Sequence, residues 1–484
     1  MTNKIPCIAP CYNKFMKKYI PQEIEQKWQD EWEKDRIYKF NEKAQRLTQG
    51  KYYNLVEFPY PSGDLHLGHW FTFSPADAHA RYKRMKGFSV FFPNGFDAFG
   101  LPAENAAIKR GVHPRDWTLS NIDTMTRQFG TMGVSVDWNY KVITCDPSYY
   151  KWNQWIFIKM FERGLAYRGK VFSNWCPSCQ TVLANENIEA GLCWRCGTLV
   201  IQKEIEQWFL KITKYAEDLL WPVDPTALKL RGVNWPKSVR DGQNNWIGKS
   251  EGIVLDFDGI KVFTTRPETT DGATFIVLSP EVGLKFLTKL DLSSRNKVKK
   301  YLDKVLKKTE MERKEERIKT GVFTGIYVKN PVTGKKIPVW IADYILSTYG
   351  TGAIMAVPDA DARDREFAKK FKLPIVKSSL KANPKGQKKV YYHLRDWSIS
   401  RQRYWGTPVP MIHCKNCGIV PVPLKDLPIE LPYEVDYAPK GRPPLATAKD
   451  WIKVKCPKCG EEAQRDAETL DTFFDSAWYF FRYV

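Results

Sequence analysis

The sequence has no run of 18 consecutive apolar residues, and its N-terminal stretch has no apolar core of the kind a secretory signal carries. These absences argue against a membrane-spanning helix and a signal peptide, and we expect a soluble, cytoplasmic protein. Acidic residues are in short supply. The 54 Asp and Glu face 75 Lys and Arg, a formal charge of +21 that favours an anionic partner and points first to nucleic acid. Charge alone is weak evidence, because the Lys-rich run 297–319 reads better as a solvated helix face than as a nucleic-acid contact. Disulfides are also not expected: 11 cysteines in a reducing compartment imply metal sites instead. What the chain does have is length and apolar material. At 484 residues, 43% of them hydrophobic, it is too long for one core, so three or four domains around an α/β body are expected.

The stretch most informative about chemistry is Phe58–His69, FPYPSGDLHLGH. Tyr53–Phe58 reads as a buried parallel strand, and the chain then turns through Pro59, Pro61 and Gly63. A helix is predicted from Leu67, with apolar residues at helical spacing through Trp70, Phe71, Phe73, Ala78 and Tyr82. His66 and His69 then fall in its first turn, where unsatisfied N–H groups and partial positive charge favour a phosphate. Gly68 would let a nucleotide approach the backbone. HLGH resembles the His-x-Gly-His nucleotide-binding signature of class I aminoacyl-tRNA synthetases; taken alone, a pair of surface histidines in a capped turn is an equal reading.

A second apolar strand, Phe88–Pro93, leads into NGFDAFGLPAENAA. Strand, helix, strand is the start of a doubly wound parallel sheet, in which ligands collect at the carboxyl ends of strands. Asp97 lies at such an end, where it could hold the ammonium of an amino acid or serve as a cap. Before this, an amphipathic helix is predicted from Pro21 to near Arg36, and Cys7 and Cys11 read as free thiols; after it, residues 116–170 read as helices.

Two cysteine sets follow. Cys176, Cys179, Cys193 and Cys196 form two CxxC knuckles, a strong signal for tetrahedral structural zinc with no open catalytic position. Cys414, Cys417, Cys456 and Cys459 form a second quartet with a longer reach between knuckles, for which zinc is still favoured and His413 is a bystander. Between Trp246 and about Tyr392 the pattern changes to short strands with turn punctuation, a mostly antiparallel inserted domain. Here the threonines of TTRPETTDGATF read as ordinary strand and turn residues, and Asp361 and Asp364 as possible helix caps. The predicted layout is therefore a Rossmann-type doubly wound α/β body over 1–170, a zinc module over 171–205, a connection over 206–245, an inserted β domain over 246–393, and a return to the body over 394–484.

In this order and spacing, FPYPSG, HLGH and GFDAFGLPAENAA resemble the leucyl-tRNA synthetase family, of bacterial type. The flanks NNWIGKSEG and RDWSISRQRYWGTP resemble that family's boundaries around its editing domain, and ETLDTFFDSAWYFFRYV resembles its leucine-pocket segment. The resemblance implies ATP-dependent activation of leucine, transfer to tRNA(Leu) and hydrolytic editing of mischarged tRNA. It implies an ATP site of Pro59, Tyr60, Pro61, Ser62, Gly63, His66, Leu67, Gly68 and His69, with His66 and His69 catalytic and Mg2+ accompanying ATP. It places leucine against Tyr60, Asp97, Phe473 and Tyr479, and editing on Thr264, Thr265, Thr269, Asp361 and Asp364.

The sequence also departs from the family. Phe96 stands where Trp is usual, and Ala360 stands where His usually precedes the first Asp, which puts editing strength in question. We find no Lys-Met-Ser-Lys-Ser-like loop, no second leucine-pocket segment and no helical anticodon-binding region. The expectation is an N-terminal portion, or one subunit whose partner carries those parts, with a stand-alone editing hydrolase or a catalytically silent tRNA-binding module as alternatives.

Overall fold

The structure is a computed structural model; it describes residues 19–42, 49–178, 181–183, 188–189, 191–193, 196–222, 224, 226, 232–233, 235–306, 313, 319–345, 350–437 and 442–484. Cys7, Cys11, Cys179 and most of 307–318 lie outside these residues. The chain divides into two units, one of residues 1–158, 401–438 and 443–484, the other of 159–400 and 439–442. No helix among the described residues is long and apolar enough to cross a membrane.

The first unit begins with helix α1 (Pro21–Lys34), close to the prediction, and continues with strand β1 (Lys51–Tyr53), helix α2 (Leu67–Met85) and strand β2 (Ser89–Phe91). The β1 and β2 strands pair in parallel, Lys51 opposite Ser89 and Tyr53 opposite Phe91. The strand expected over 53–58 is thus displaced to 51–53. Its last ladder bond runs from Asn54 N to Phe91 O at 2.8 Å. Beyond it residues 54–58 still alternate, with Asn54, Val56 and Phe58 buried and Leu55 and Glu57 exposed, so the sequence pattern marks a half-buried extended segment that has lost its partner. Pro93, which has no N–H, likewise stops β2 short of the predicted end. A second parallel pair, β3 (Gly95–Phe96) with β4 (Val142–Ile143), is framed by helices α3 (Leu101–Arg110), α4 (Pro114–Met132) and α5 (Pro147–Glu162). Between sheet and helices Phe73 of α2 meets Phe129 of α4 with ring centroids 4.7 Å apart, in a core shared with Val56, Val90, Phe92, Phe96 and Met125.

The second unit opens with β5 (Ala166–Cys176), which pairs antiparallel with β6 (Ile201–Leu210) from Ala166 opposite Leu210 to Trp175 opposite Ile201. Helix α6 (Lys237–Ile247) precedes the inserted β region. There β7 (Ser250–Phe257) and β8 (Ile260–Thr264) form a hairpin, and a four-stranded sheet is built from β9 (Phe275–Leu278), β10 (Gly321–Lys329), β11 (Lys336–Ala342) and β12 (Ala353–Ala356) in the order β10-β11-β9-β12. Helix α7 (Leu292–Val305) buries Val298, Leu302 and Val305, so the described part of the Lys-rich run is an amphipathic helix with a solvated basic face. The β9 strand is buried on both faces, as suits a central strand, and forms the one parallel pair of that sheet, with β11. Helix α8 (Ala362–Phe371) and strand β13 (Gln387–Tyr391), antiparallel to β7, complete the region, and β14 (Trp397–Ser398) pairs with β6.

The remaining elements return to the first unit: β15 (Met411–Cys414), β16 (Gly418–Pro421), β17 (Lys453–Lys455) and β18 (Glu462–Arg465), in the order β16-β15-β18-β17, then the short helices α9 (Thr472–Ser476) and α10 (Tyr479–Arg482). The returning segment docks on the loop after β3 and on α3: Trp405 Nε1 donates to Ala98 O at 2.7 Å and Trp405 N to Glu104 Oε2 at 2.8 Å.

The close β3–β4 contact gives a test. A Cβ on Gly95 would lie 2.1 Å from Val142 O. Gly95→Ala is expected to cost about 1–3 kcal/mol of overpacking, read as a lowered urea midpoint, whereas an unchanged midpoint would show that the strands are not so close.

Candidate active site and cysteine clusters

Helix α2 is capped by its own two histidines. His66, in extended conformation at the N-cap, accepts from Gly68 N through Nδ1 at 3.1 Å, and His69 Nδ1 accepts from His66 N at 3.0 Å. Side chain and backbone reciprocate as in a capping box, so two of the helix's orphan N–H groups are satisfied. A nitrogen that accepts carries no proton, so each neutral ring bears its proton on Nε2. Neither Nε2 has a hydrogen-bond partner among the described residues, and the two rings lie 4.0 Å apart. Burial, and then the neighbouring His66, lower the His69 pKa, which keeps a ring that is a donor without being a cation. Gly68 has a local reason: a Cβ there would come within 2.9 Å of the His66 ring.

The loop before α2 is pinned from α4. Asn121 Nδ2 donates to Pro61 O at 3.1 Å, and Gln128 both accepts from Leu65 N at 2.8 Å and donates to Asp64 Oδ1 at 2.9 Å. Asp97 is tied to the same loop through its N–H, which donates to Pro59 O at 3.0 Å. Its carboxyl is 1% exposed. Thr144 Oγ1 donates to Oδ1 at 3.3 Å, Thr472 Oγ1 reaches the same oxygen at 3.4 Å, and the hydroxyls of Tyr60 and Ser476 complete the cradle. Burial pushes the Asp97 pKa up to about 7, against the lowering effect of these hydroxyls. A small recess over it is lined by Tyr60, Pro61, Ser62, Asp97, Phe99, Pro102 and Ala103. Of the other residues singled out for this pocket, Tyr479 stacks on Phe58 at 4.0 Å and 9°, while Phe473 is 61% exposed and outside the recess lining. Thr144, Thr472 and Ser476 were not foreseen. Thr472 sits in the DTFFDS segment already singled out, but nothing local marks Thr144.

In the second unit, pairing of β9 with β12, continued by Thr274 N to Ala356 O at 3.1 Å, brings the threonine turn and the acidic loop to adjoining ends of one sheet. The turn closes on itself. Thr264 Oγ1 accepts from Arg266 N at 3.0 Å, and buried Thr269 donates to Arg266 O at 2.8 Å; Thr265 alone of the three predicted threonines is exposed. Asp361 is the N-cap of α8 and accepts from Arg363 N at 2.8 Å; its burial raises the pKa, but Arg363 and the backbone amides outweigh this and leave it below the ordinary value. Asp364 is 5% exposed. Its Oδ2 accepts from Val357 N at 2.9 Å, and burial lifts its pKa to about 6. Ala360 packs against the apolar core of this domain.

Both cysteine sets gather. The sulfurs of Cys414, Cys417, Cys456 and Cys459 lie within 4.8 Å of one another, with Cys414 and Cys459 at 3.6 Å. Sulfurs about 2.3 Å from a tetrahedral metal lie about 3.8 Å apart, so the set fits a thiolate-bound ion. His413 turns instead to Asp466, Nε2 to Oδ2 2.8 Å, and is outside the cluster. Cys176, Cys193 and Cys196 also gather, with Cys176 and Cys196 3.3 Å apart; Cys179 lies outside the described residues.

Comparison with known proteins bears on the family of the chain. The tRNA synthetases class I (I, L, M and V) match residues 27–251 and 362–484, and the leucyl-tRNA synthetase editing domain matches residues 244–396. The chain is 50% identical to a leucine--tRNA ligase of Caldanaerobacter subterraneus subsp. tengcongensis and 48% identical to one of Clostridium kluyveri, in each case over 93% of this chain and 60% of the relative. It superposes with a TM-score of 0.80 and 39% identity on the Agrobacterium radiobacter K84 agnB2 LeuRS, whose structure is a ternary complex with tRNA and LeuAMS, covering 96% of this chain and 60% of that one. The chain thus spans about 60% of the length of the curated relatives it matches.

If a metal joins the Cys414–Cys459 set, chelation should expose these thiols and loosen the sheet β16-β15-β18-β17. Thiol titration with and without chelator checks this, and equal thiol reactivity in both would argue against a bound metal.

Proposed function

The chain belongs to the class I tRNA synthetases and, within them, to the leucyl-tRNA synthetase family, and from that premise we propose that it carries the nucleotide and leucine subsites of a leucine–tRNA ligase together with that enzyme's editing site. The observation that carries the reading is the pairing of a histidine-capped helix N-terminus, which follows the loop Pro59–Gly63 in the chain, with a buried carboxylate whose N–H is bonded to Pro59 O of that loop. In this reading the leucine carboxylate oxygen attacks the α-phosphorus of ATP, a new acyl–phosphate bond forms, and the bond to the β-phosphate breaks to release pyrophosphate. A terminal ribose hydroxyl of tRNA(Leu) then attacks the acyl carbon and AMP departs. Mg2+ arriving with ATP supplies positive charge to the phosphates.

No protein nucleophile is needed; the residues orient and stabilise. The Nε2–H groups of His66 and His69 and the α2 N-terminus meet the phosphates, with Pro59, Tyr60, Pro61, Ser62, Gly63, Leu67 and Gly68 shaping the ATP site. Asp97 takes the leucine ammonium and Tyr60 flanks the side chain; Tyr479, stacked on Phe58, and Phe473, 61% exposed, lie outside the recess lining and are assigned to leucine by the family resemblance alone. For editing, Thr264, Thr265, Thr269 and Asp361 border the hydrolytic site and Asp364 holds the ammonium of a mischarged amino acid. A pocket that separates one methylene by only about 1–3 kcal/mol gives such a second site its use. The two cysteine sets hold structural zinc in this reading.

The reading is tested by leucine-dependent ATP–pyrophosphate exchange, with the chain alone and with the C-terminal part of a longer relative added. Leucine-dependent exchange supports it. Silence in both, beside intact deacylation of isoleucyl-tRNA, would favour a stand-alone editing hydrolase.

Two pH dependences follow. Asp97 is neutral below about 7 and binds an ammonium only when ionised, so leucine affinity, measured by calorimetry, should rise through pH 7 and fall about tenfold per unit well below it. Deacylation should decline below about pH 6, where Asp364 takes its proton, and Asp364→Ala should lose it at every pH. A flat calorimetric profile from pH 6 to 8 would remove Asp97 from the ammonium site.

A further inference from the structure

Two carboxyl groups of the first unit are buried near one another, and the reading above uses only Asp97. Asp475, on α9, is 0% exposed. Its Oδ1 accepts from Asn153 Nδ2 and from Thr407 Oγ1, each at 2.6 Å, while its Oδ2 is buried with no hydrogen-bond partner among the described residues. Both donors are neutral. Among the described residues the titratable groups that face it are Asp97, Asp471, Cys145 and Tyr149, none of them a cation; Tyr149 donates its hydroxyl to the backbone oxygen of Asp475 at 2.6 Å. Arg482 is felt at Tyr149 but forms no ion pair with Asp475 among the described residues, and Arg401 is taken by Asp471. An ionised Asp475 would therefore be an unanswered buried charge next to Asp97, which costs far more than a buried neutral acid with one unpaired oxygen.

We propose that Asp475 is a positioning residue of the amino-acid recess, held as an uncharged carboxylic acid, so that Asp97 is the one ionised carboxylate the recess offers to an ammonium group. The proposal rests on the assignment of Asp97 to that ammonium. Asp475 acts through neutral hydrogen bonds. It joins Asn153 of α5 to Thr407 of the returning segment, and Asn153 Oδ1 in turn accepts from Trp478 Nε1 at 2.7 Å. The residue after Trp478 is Tyr479, which stacks on Phe58 at the start of the nucleotide loop. Desolvation and the nearby Asp97 both act to keep the Asp475 proton on.

The test compares the native chain with Asp475→Asn and Asp97→Asn. An acid that is neutral when folded and ionised when unfolded loses stability as pH rises above the unfolded value near 4, and an amide does not. The Tm of Asp475→Asn relative to native should therefore shift in favour of the variant from pH 5 to 8; an offset constant with pH would overturn the proposal. Infrared spectroscopy should show the C=O stretch of a protonated carboxyl at pH 8 in native and Asp97→Asn protein and lose it in Asp475→Asn. Should Asp475→Asn fail to fold, the band in Asp97→Asn still decides, and its absence would overturn the proposal. At pH 8 leucine affinity should fall at least about tenfold in Asp97→Asn. Normal affinity in Asp97→Asn would overturn the ammonium assignment alone, with the infrared band still deciding the state of Asp475.

Discussion

The burial of Asp97 among hydroxyl groups, with no cation among its partners in the described residues, is the constraint on which the first unit turns. A carboxyl that is 1% exposed must be met by donors, and here they come from distant pieces of chain: Tyr60 from the nucleotide loop, Thr144 after β4, Thr472 and Ser476 from α9. Thr472 is 375 residues away in sequence. The unit is therefore necessarily discontinuous, and the segment from Arg401 onward has to return to it. Trp405, bonded to both Glu104 of α3 and Ala98, the residue after Asp97, fixes that return.

The second device of the unit is local. Most helices take their N-cap from Ser, Thr, Asp or Asn, whose oxygens do nothing beyond capping. In α2 the histidines cap through Nδ1, and capping thereby decides which nitrogen carries the proton. The same two bonds that satisfy the helix leave two Nε2–H donors and the remaining positive end of the dipole at one place. Preorganisation of this kind would involve no rearrangement for the phosphate proposed to bind there, which is the condition under which fixed donors stabilise developing charge most effectively.

Much of this was legible in the sequence because its signals are local. Helical spacing from Leu67 placed His66 and His69 at the first turn of α2, paired CxxC knuckles marked the sets at Cys176–Cys196 and Cys414–Cys459, and β-turn punctuation marked the hairpin of β7 and β8. The illegible parts depend on partners. The segment 54–58 has a strand's burial alternation but no neighbour to pair with once β2 ends at Phe91. Thr144 carries no local mark of its contact with Asp97, since that contact exists only when β4 lies beside β3. The turn after β8 is a further case: its threonines were legible as hydroxyls, but whether a hydroxyl is free or closes its own turn, as Thr269 does on Arg266, depends on backbone geometry.

Asp97 and Asp364, the acids proposed to hold an ammonium in the two units, share a physical design despite belonging to unrelated sheets. Each is nearly inaccessible, each is lifted above the ordinary carboxylate range, to about 7 and about 6, and burial is the leading cause in both. An exposed carboxylate exchanges one set of water contacts for another when an ammonium docks, and gains little. A carboxylate that has already lost its water has an unmet need for positive charge, so an incoming ammonium relieves an electrostatic deficit that the fold has built in advance. The same deficit makes each site selective: a ligand without the cation leaves the acid to take a proton instead, and the interaction is lost. On this argument the depth at which the two aspartates are buried is a functional quantity, and the hydroxyl cradle of Asp97 is what keeps that depth compatible with ionisation near neutral pH.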